Sequence, residues 1–540
     1  MTLHFADIFT RTASAFGDDP ALRHGDRRWT WTEFHEQAVR IATYLAHQGV
    51  GPGDRVGILM YNAPEYLIAQ YGIFLRRAVP VNMNYRYLGD ELAYLLHDSS
   101  ASVVFAHEDL VARVHGVRGR TPLLRKVVSV AEDGHPVGQV PSDTTWTECL
   151  RAYDVGVVLP GSEDDTYMLY TGGTTGLPKG VVFRMTDFVR RSFTGYLYRG
   201  WDVPTDDDLM TAIDQHREQG DRRVSIPACP LMHGTGMWLG AFYAHLMGGC
   251  VVTLPGRSFD ASAMWATAVA VGADAITIVG DAFAKPMLDA LDQAHEAGAP
   301  FELSAMRVIQ SSGVMWSAEV QTGLLRHLDV SLVDSMGSTE GAMARRIVHR
   351  GVPIETARFE PLAGTKLIAE NGTVVPKDSS ARGRIAASTV VPLGYFNDPE
   401  KSAATFVDID GVRHAMAGDW AVWADDGALV LLGRGSNCIN TAGEKVFPEE
   451  VEEAMKRHPA IVDCLVVGLP DDRFNERVAA VISLEPSMAG ATDAEALVAD
   501  VRTWLSSYKL PRTVLIVDRI ERAANGKADY AWAKAVMNGG

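Results

Sequence analysis

The sequence is poor in cysteine, has no long apolar run and carries less positive than negative charge. Its five cysteines in 540 residues (Cys149, Cys229, Cys250, Cys438, Cys464) are widely scattered, odd in number and without a Cys-x-x-Cys pair. Neither a disulfide framework nor a zinc knuckle is indicated, and reduced thiols in a cytoplasmic protein are expected. No stretch approaches the ~18 apolar residues of a membrane span. Met1–Asp7 shows no basic segment leading into an apolar one, so no integral membrane association is expected. With 50 Lys and Arg against 67 Asp and Glu, the formal net charge is −17. That balance argues against a nucleic-acid partner while leaving room for local basic pockets that hold phosphates. Several catalytic signatures are also missing: there is no Gly-x-Ser-x-Gly elbow, no Gly-x-Gly-x-x-Gly fingerprint and no His-Glu-x-x-His helix. Hydrolase, dehydrogenase and zinc-peptidase readings therefore lack support.

What is present is enough chain for at least two domains, with 47% hydrophobic and 22% charged residues, an ordinary globular balance. Thr30-Trp31-Thr32-Glu33 reads as a capping box. Phe34, Ala38, Ile41, Ala42 and Leu45 then share one helical face up to Gly49. Short apolar strands are expected at 56–60, 78–81, 102–106 and 126–130, alternating with helical stretches such as Glu65–Arg77. Alternation of this kind implies α/β architecture with mostly parallel sheet covered on both faces. The charge-dense run Thr205–Arg223 reads as a solvated surface insertion.

The chemistry concentrates in Tyr170-Thr171-Gly172-Gly173-Thr174-Thr175-Gly176-Leu177-Pro178-Lys179-Gly180. Three glycines, three threonines and a lysine within Thr171–Lys179, set between two strand-like runs, describe a tight turn whose amides and hydroxyls converge on an anion. A Walker loop needs Gly-Lys-Ser/Thr opening a helix, but Leu177 and Pro178 separate Gly176 from Lys179 and β-branched residues follow. Later come Pro230-Leu231-Met232-His233-Gly234-Thr235-Gly236, Ser335-Met336-Gly337-Ser338-Thr339-Glu340-Gly341, Gly418-Asp419, Gly433-Arg434-Gly435-Ser436 and Asn525-Gly526-Lys527.

In this order the segments resemble the adenylate-forming superfamily, and most of all the actinobacterial fatty-acid and steroid-side-chain acyl-CoA synthetases. The resemblance covers almost the whole chain. It implies a large α/β N-terminal adenylate-forming domain of several subdomains with mostly parallel sheets (1–434), followed by a small mobile α+β C-terminal lid (435–540). It also implies ATP as substrate, Mg²⁺ as its counter-ion and coenzyme A as co-substrate. Residue by residue, Thr171, Gly172, Gly173, Thr174, Thr175 and Lys179 would hold the phosphates, and Gly313, Ser335, Met336, Gly337, Ser338 and Thr339 the adenine side. Asp419 and Arg434 would hold the ribose and phosphate, and Glu340 with Thr171 the metal. Catalytic roles fall to Lys527, Glu340, His233 and Thr175, with Gly435 and Ser436 as the hinge. His233, Trp238, Phe242, Phe283 and Met315 are candidate walls of the acid pocket. Three departures stand out: Ser312 where relatives carry glycine, Met336 where they carry tyrosine, and Ala417 where they carry threonine. Gly394–Glu400 corresponds to a family segment read here as a packing turn.

The reaction so implied is adenylation of a small-molecule carboxylic acid with release of pyrophosphate, then transfer of the acyl group to coenzyme A. Two alternatives stay open on the sequence: a diazotase of the same branch that adenylates nitrite and passes it to an aryl amine, and a non-catalytic nucleotide-binding scaffold. The identity of the acid and the oligomeric state, a homodimer included, are not specified.

Overall fold

The computed structural model describes residues 3–539 apart from 132–140, 155, 157, 174–175, 198–200, 221–222, 315, 442–443, 472–474, 489–492, 503–504, 506 and 524–525. The chain packs as two compact units, Met1–Ala342 with Arg346–Ile354 and Ser388–Ala415, and Met343–Arg345 with Glu355–Ala387 and Met416–Gly540.

The first unit contains two largely parallel sheets and two antiparallel ones, a three-stranded sheet of Thr166–Gly173, Gly176–Arg184 and Gly394–Tyr395 and the hairpin Phe406–Ile409 with Val412–Ala415. One parallel sheet runs Val79–Asn82, Arg55–Leu59, Val103–His107, Lys126–Val130, Thr144–Thr145. The other aligns Ser331–Ser338, Val308–Ser312, Ala275–Ile278, Val224–Pro227, Cys250–Thr253 and Pro20–His24, with Arg27–Thr30 antiparallel at the edge. Strands such as Val103–His107 and Ala275–Ile278 are buried along their whole length, which is why they read as mostly apolar runs without the polar alternation of a half-exposed strand.

The capping box forms as expected. Glu33 N donates to Thr30 Oγ1 at 3.1 Å and Thr30 N to Glu33 Oε2 at 2.8 Å, starting the helix Trp31–His47. Phe34, Ala38, Ile41, Ala42 and Leu45 are all buried. An aromatic cluster of Phe5, Tyr71, Phe74, Tyr167, Phe188 and Phe242 seats the first helix, Phe5–Phe16, against Pro64–Leu75. Each such ring removed from water contributes about 1.5–3 kcal/mol.

The run 205–223 is more than a solvated insertion. Leu209–Glu218 is a helix, anchored by buried Leu209 and Ile213 one turn apart and by Arg217 Nε on Asp19 Oδ2 at 3.1 Å. Two apolar residues among so many charges left little periodicity to read.

The second unit is largely antiparallel. Lys366–Ile368, Gly383–Ala386, Asp419–Trp423, Leu429–Arg434 and Arg358–Pro361 form one ladder. After Gly435–Asn437, a single 3₁₀ turn, comes a sheet of Glu444–Val446, Ile439–Thr441, Asn475–Leu484 and Ile461–Asp471, with Thr513–Val517 parallel to Asn475–Leu484. Helices Pro448–Lys456, Ala494–Val501 and Tyr530–Met537 accompany it, so residues 435–540 are α+β as expected. Pro448 opens its helix at the first position with Glu449 and Glu450 behind it. The spacing Thr492-x-x-Glu495 reads as a capping box for the next helix, Ala494–Val501. Thr492 lies outside the described residues, and the cap is Asp493, whose Oδ1 accepts from Ala496 N at 2.8 Å.

Candidate active site

The glycine-threonine stretch is the end of a two-stranded antiparallel hairpin, Thr166–Gly173 paired with Gly176–Arg184. Thr171 and Lys179 are direct partners across it, so the hydroxyl and the amine that the sequence singled out are carried side by side. Thr174 and Thr175 lie outside the described residues. A third strand, Gly394–Tyr395, adds to the hairpin opposite Val182 and Val181, with Phe396 N donating to Gly180 O at 2.7 Å.

That third strand corrects the reading of Gly394–Glu400 as a packing turn. Tyr395 Oη donates to Glu340 Oε1 at 2.7 Å, and Lys179 Nζ lies 5.6 Å from the centre of the Tyr395 ring. Glu340 sits on the turn between Ser331–Ser338 and Gly341–Val348. One tyrosine thus joins the Gly/Thr hairpin to the glutamate of the Gly-Ser-Thr-Glu motif. Lys401, in the short helix Pro399–Thr405 capped by Asp398, comes within hydrogen-bonding reach of Lys179. The Lys179 amine is pushed down to about 8, first by burial and then by the hydrogen bond and charge of Lys401, against the carboxylates of Glu340 and Asp398. The sequence reading missed Tyr395, Asp398 and Lys401, because only sheet pairing brings them to the hairpin.

Among the residues expected on the adenine side, Ser312 and Ser335 are register partners on adjacent parallel strands, and Ser312 Oγ donates to Ser335 O at 2.7 Å. The serine that replaces glycine therefore spends its hydroxyl on the neighbouring backbone. Gly313 follows it directly, and Met336 is buried on the same strand as Ser335, Gly337 and Ser338, with Thr339 at the turn.

His233 sits where the strand Val224–Pro227 leads into a π-helical segment, Thr235–Phe242. The approach is close: a Cβ at Gly236 would collide with the Pro230 carbonyl. Two asparagines brace it. Asn62 accepts from Leu231 N at 2.7 Å and donates to Pro227 O and Cys229 O. Asn82 accepts from Tyr170 N at 2.7 Å and donates to Tyr170 O at 2.9 Å and Met232 O at 2.7 Å. Asn82 therefore ties the strand entering the Gly/Thr turn to the residue before His233.

Among the candidate pocket walls, Trp238 donates Nε1 to Tyr167 Oη at 2.9 Å, and Arg191 lies over its ring at 5.2 Å. Phe242 is fully buried in the aromatic cluster, 4.3 Å from Phe5. Phe283 belongs to a separate core and packs against Phe259. Trp238 and Phe242 lie on one helical segment, and Phe283 on the helix Asp281–Glu296. Met315 lies outside the described residues.

In the second unit, Asp419 and Arg434 face one another as ladder partners, and Gly435 N donates to Gly418 O at 3.0 Å. Only the backbone of Arg434 and Ser436 is described. Lys527 is exposed on a turn closed by the bridge between Arg522 and Ala528, and Asn525 lies outside the described residues.

For magnesium, the protein side offers Glu340, one of whose oxygens is already fixed by Tyr395, and the Thr171 hydroxyl beside Lys179. No group of three or more His, Cys, Asp or Glu converges among the described residues. That sparse set fits a hard cation held mainly by substrate phosphates and water.

Comparison with known proteins agrees with this geometry. The family model for "AMP-binding enzyme" matches residues 9–383 and that for "AMP-binding enzyme C-terminal domain" residues 450–527. The chain is 36% identical to a 3-oxocholest-4-en-26-oate–CoA ligase of Rhodococcus rhodochrous, over 99% of this chain and 96% of that protein. It is 37% identical to a medium/long-chain-fatty-acid–CoA/3-oxocholest-4-en-26-oate–CoA ligase of Mycolicibacterium smegmatis, over 99% and 97%. Its fold matches that of the anthranilate CoA ligase AuaEII in complex with anthranoyl-AMP, with a TM-score of 0.82, 22% identity and coverage of 100% and 98% of the two chains. The family models, the full-length relatives and the hairpin with its Glu340 neighbour converge: the chain belongs to the AMP-binding enzyme family of AMP-forming ligases.

Proposed function

We propose that the protein is an acyl-CoA ligase that activates a hydrophobic carboxylic acid with ATP and transfers the acyl group to coenzyme A. The observation that carries the reading is the convergence of Lys179, Tyr395 and Glu340 at the base of a Gly/Thr hairpin. Relatives named for fatty acids and for a steroid side-chain acid support the choice of a bulky apolar acid. The nitrite-activating alternative draws no support from these relatives.

A carboxylate is a poor electrophile because its charge repels nucleophiles and its oxide leaves badly. In the first step its oxygen bonds to the α-phosphorus of ATP while the α–β bridging bond breaks and pyrophosphate leaves with the electron pair. Lys179 and the hairpin amides and hydroxyls take up the phosphate charge, and Lys527 neutralises the α-phosphate and the incoming carboxylate. Magnesium, when bound, supplies further neutralisation, and Glu340 with Thr171 would hold it. Asp419 receives the ribose hydroxyls, and Arg434 lies on the strand facing it. In the second step, beside His233, the thiol gives up its proton to water, its sulfur bonds to the acyl carbon, and the acyl C–O bond breaks so that AMP leaves with the electron pair. Residues 1–434 act as the adenylating body and 435–540 as a lid turning about Gly435 and Ser436. The turn withdraws Lys527 between the two steps.

The test is acid-dependent exchange of pyrophosphate into ATP, followed by acyl-CoA formation across a panel from aromatic to long-chain and steroid side-chain acids. Exchange that needs an acid, and thioester that needs coenzyme A, are expected. Turnover independent of coenzyme A with nitrite and aminobenzoates would replace this reading.

A further inference from the structure

Lys527 is exposed, yet the turn that carries it is anchored unusually well. Arg522 grips Asp463 with a fork, Nε to Oδ2 at 2.7 Å and Nη2 to Oδ1 at 2.6 Å. Its remaining nitrogen, Nη1, donates at 3.2 Å to the carbonyl of Gly526, the residue before Lys527. The backbone closes around the same point. Ala523 N donates to Lys527 O at 2.9 Å and Gly526 N to Ala523 O at 2.8 Å, with Gly526 at φ +75, where a side chain would be strained. On the far side, Asp529 caps the helix Tyr530–Met537 by accepting from Trp532 N at 2.9 Å.

Asp463 is itself held. It lies at the irregularity that starts the strand pair Ile461–Asp471 and Asn475–Leu484, and its Oδ1 also accepts from Cys464 N at 2.8 Å. Arg522 and Asp463 each leave only 23% of the side chain exposed. Fork pairs of this type fix direction as well as distance, which a lysine in place of Arg522 cannot do.

We infer that Arg522, through its fork on Asp463 and its bond to the Gly526 carbonyl, is a positioning residue that aims Lys527 for the adenylation step. The inference rests on Lys527 being the lysine that serves that step. A long lysine on a frayed turn would sample many directions, and preorganisation is what gives a charged donor its catalytic effect. Arg522 fixes the backbone from which Lys527 extends, so its loss should cost the half-reaction that uses Lys527 and spare the one that does not.

The experiment measures both half-reactions, adenylation by pyrophosphate exchange and thioester formation from supplied acyl-adenylate, in Arg522→Met, Arg522→Lys, Asp463→Asn, Lys527→Ala and the double variant Arg522→Met/Lys527→Ala. Adenylation should fall about 10- to 100-fold in the Arg522 and Asp463 variants, with thioester formation unchanged. The double variant should adenylate no more slowly than Lys527→Ala alone. Arg522→Lys and Asp463→Asn keep size and much of the packing, so they carry the test where Arg522→Met does not fold. Equal loss in both half-reactions, or full additivity with Lys527→Ala, would overturn the inference. A Lys527→Ala defect that no Arg522 variant reproduces would overturn it alone, whereas intact adenylation in Lys527→Ala would overturn the assignment of Lys527 and this inference with it.

Discussion

Tyr395 Oη donates to Glu340 Oε1 at 2.7 Å while the Tyr395 ring faces Lys179, so a single side chain holds an acidic and a basic member of the site in register. Removing the hydroxyl leaves the glutamate free to rotate. A hydrogen bond to a charged group contributes about 1.5–3 kcal/mol, so Tyr395→Phe should lower the adenylation rate by about 10- to 100-fold at limiting magnesium. Titrating magnesium in the pyrophosphate-exchange assay checks this. The variant should need more metal for half-maximal rate, with the loss shrinking at saturation.

With its amine pushed down to about 8, Lys179 is expected to set a basic limit on nucleotide capture if it holds the phosphates as proposed. It is charged below that value and neutral above it, so kcat/KM for ATP should fall as pH rises through about 8. Lys401→Met removes a neighbouring donor and positive charge, which moves the Lys179 titration upward. The basic limb should therefore shift to higher pH in that variant, even where its overall affinity for ATP is lower. An unshifted limb would show that another group sets the limit.

Lys527→Ala should lose about 10²–10³ in adenylation rate, the scale of one preorganised electrostatic donor. Thioester formation from supplied acyl-adenylate should survive. Comparable losses in both would mean that the lid serves the two steps in some other way.

What could be read in the sequence and what could not divides along physical lines. The hairpin announced itself because glycine and threonine cluster where two apolar runs meet, whereas Gly418-Asp419 and Gly433-Arg434 were marked only by the family resemblance, and the structure pairs them on the hairpin of strands Asp419–Trp423 and Leu429–Arg434. Their spacing of about fifteen residues is the length of that hairpin. Tyr395, by contrast, reaches a glutamate 55 positions away only through an added sheet strand, and no local pattern encodes such a pairing. Asn82 escaped notice for the same reason, since its partners lie 88 and 150 positions away. In Thr235–Phe242, the segment just after His233 and buried almost throughout, apolar spacing cannot separate a π-helix from an α-helix.

Asn82 satisfies Tyr170 N, Tyr170 O and Met232 O with one amide. Asn82→Ala would strand these backbone groups in a largely buried place, at a cost of roughly 2–4 kcal/mol in stability. The expected result is a lower Tm together with a raised KM for both ATP and the acid, because the phosphate strand and the His233 segment lose their common tie. A change in KM for ATP alone would place the effect in the hairpin only.

Glu452 provides a last prediction, about stability. It lies on Pro448–Lys456 with 8% of its surface exposed, its Oε1 accepting from Val466 N at 2.9 Å and its Oε2 from Tyr530 Oη at 3.5 Å. Burial, and then the charge of Glu449, push its carboxyl up to about 8, against Lys456, the Val466 amide and Arg522. The folded value lies above that of a free glutamate, so the folded chain binds the proton more tightly than the unfolded one. The stability this adds is complete at pH below the unfolded value and drains away as pH rises to about 8. Glu452→Gln holds the neutral form at every pH and keeps an oxygen for Val466 N. Calorimetry from pH 5 to 9 should show a Tm gain for the variant that is small at the acid end and grows toward pH 8. A variant whose Tm tracks the parent in parallel across that range would mean that Glu452 is ionised in the folded protein throughout, with Arg522 compensating its charge.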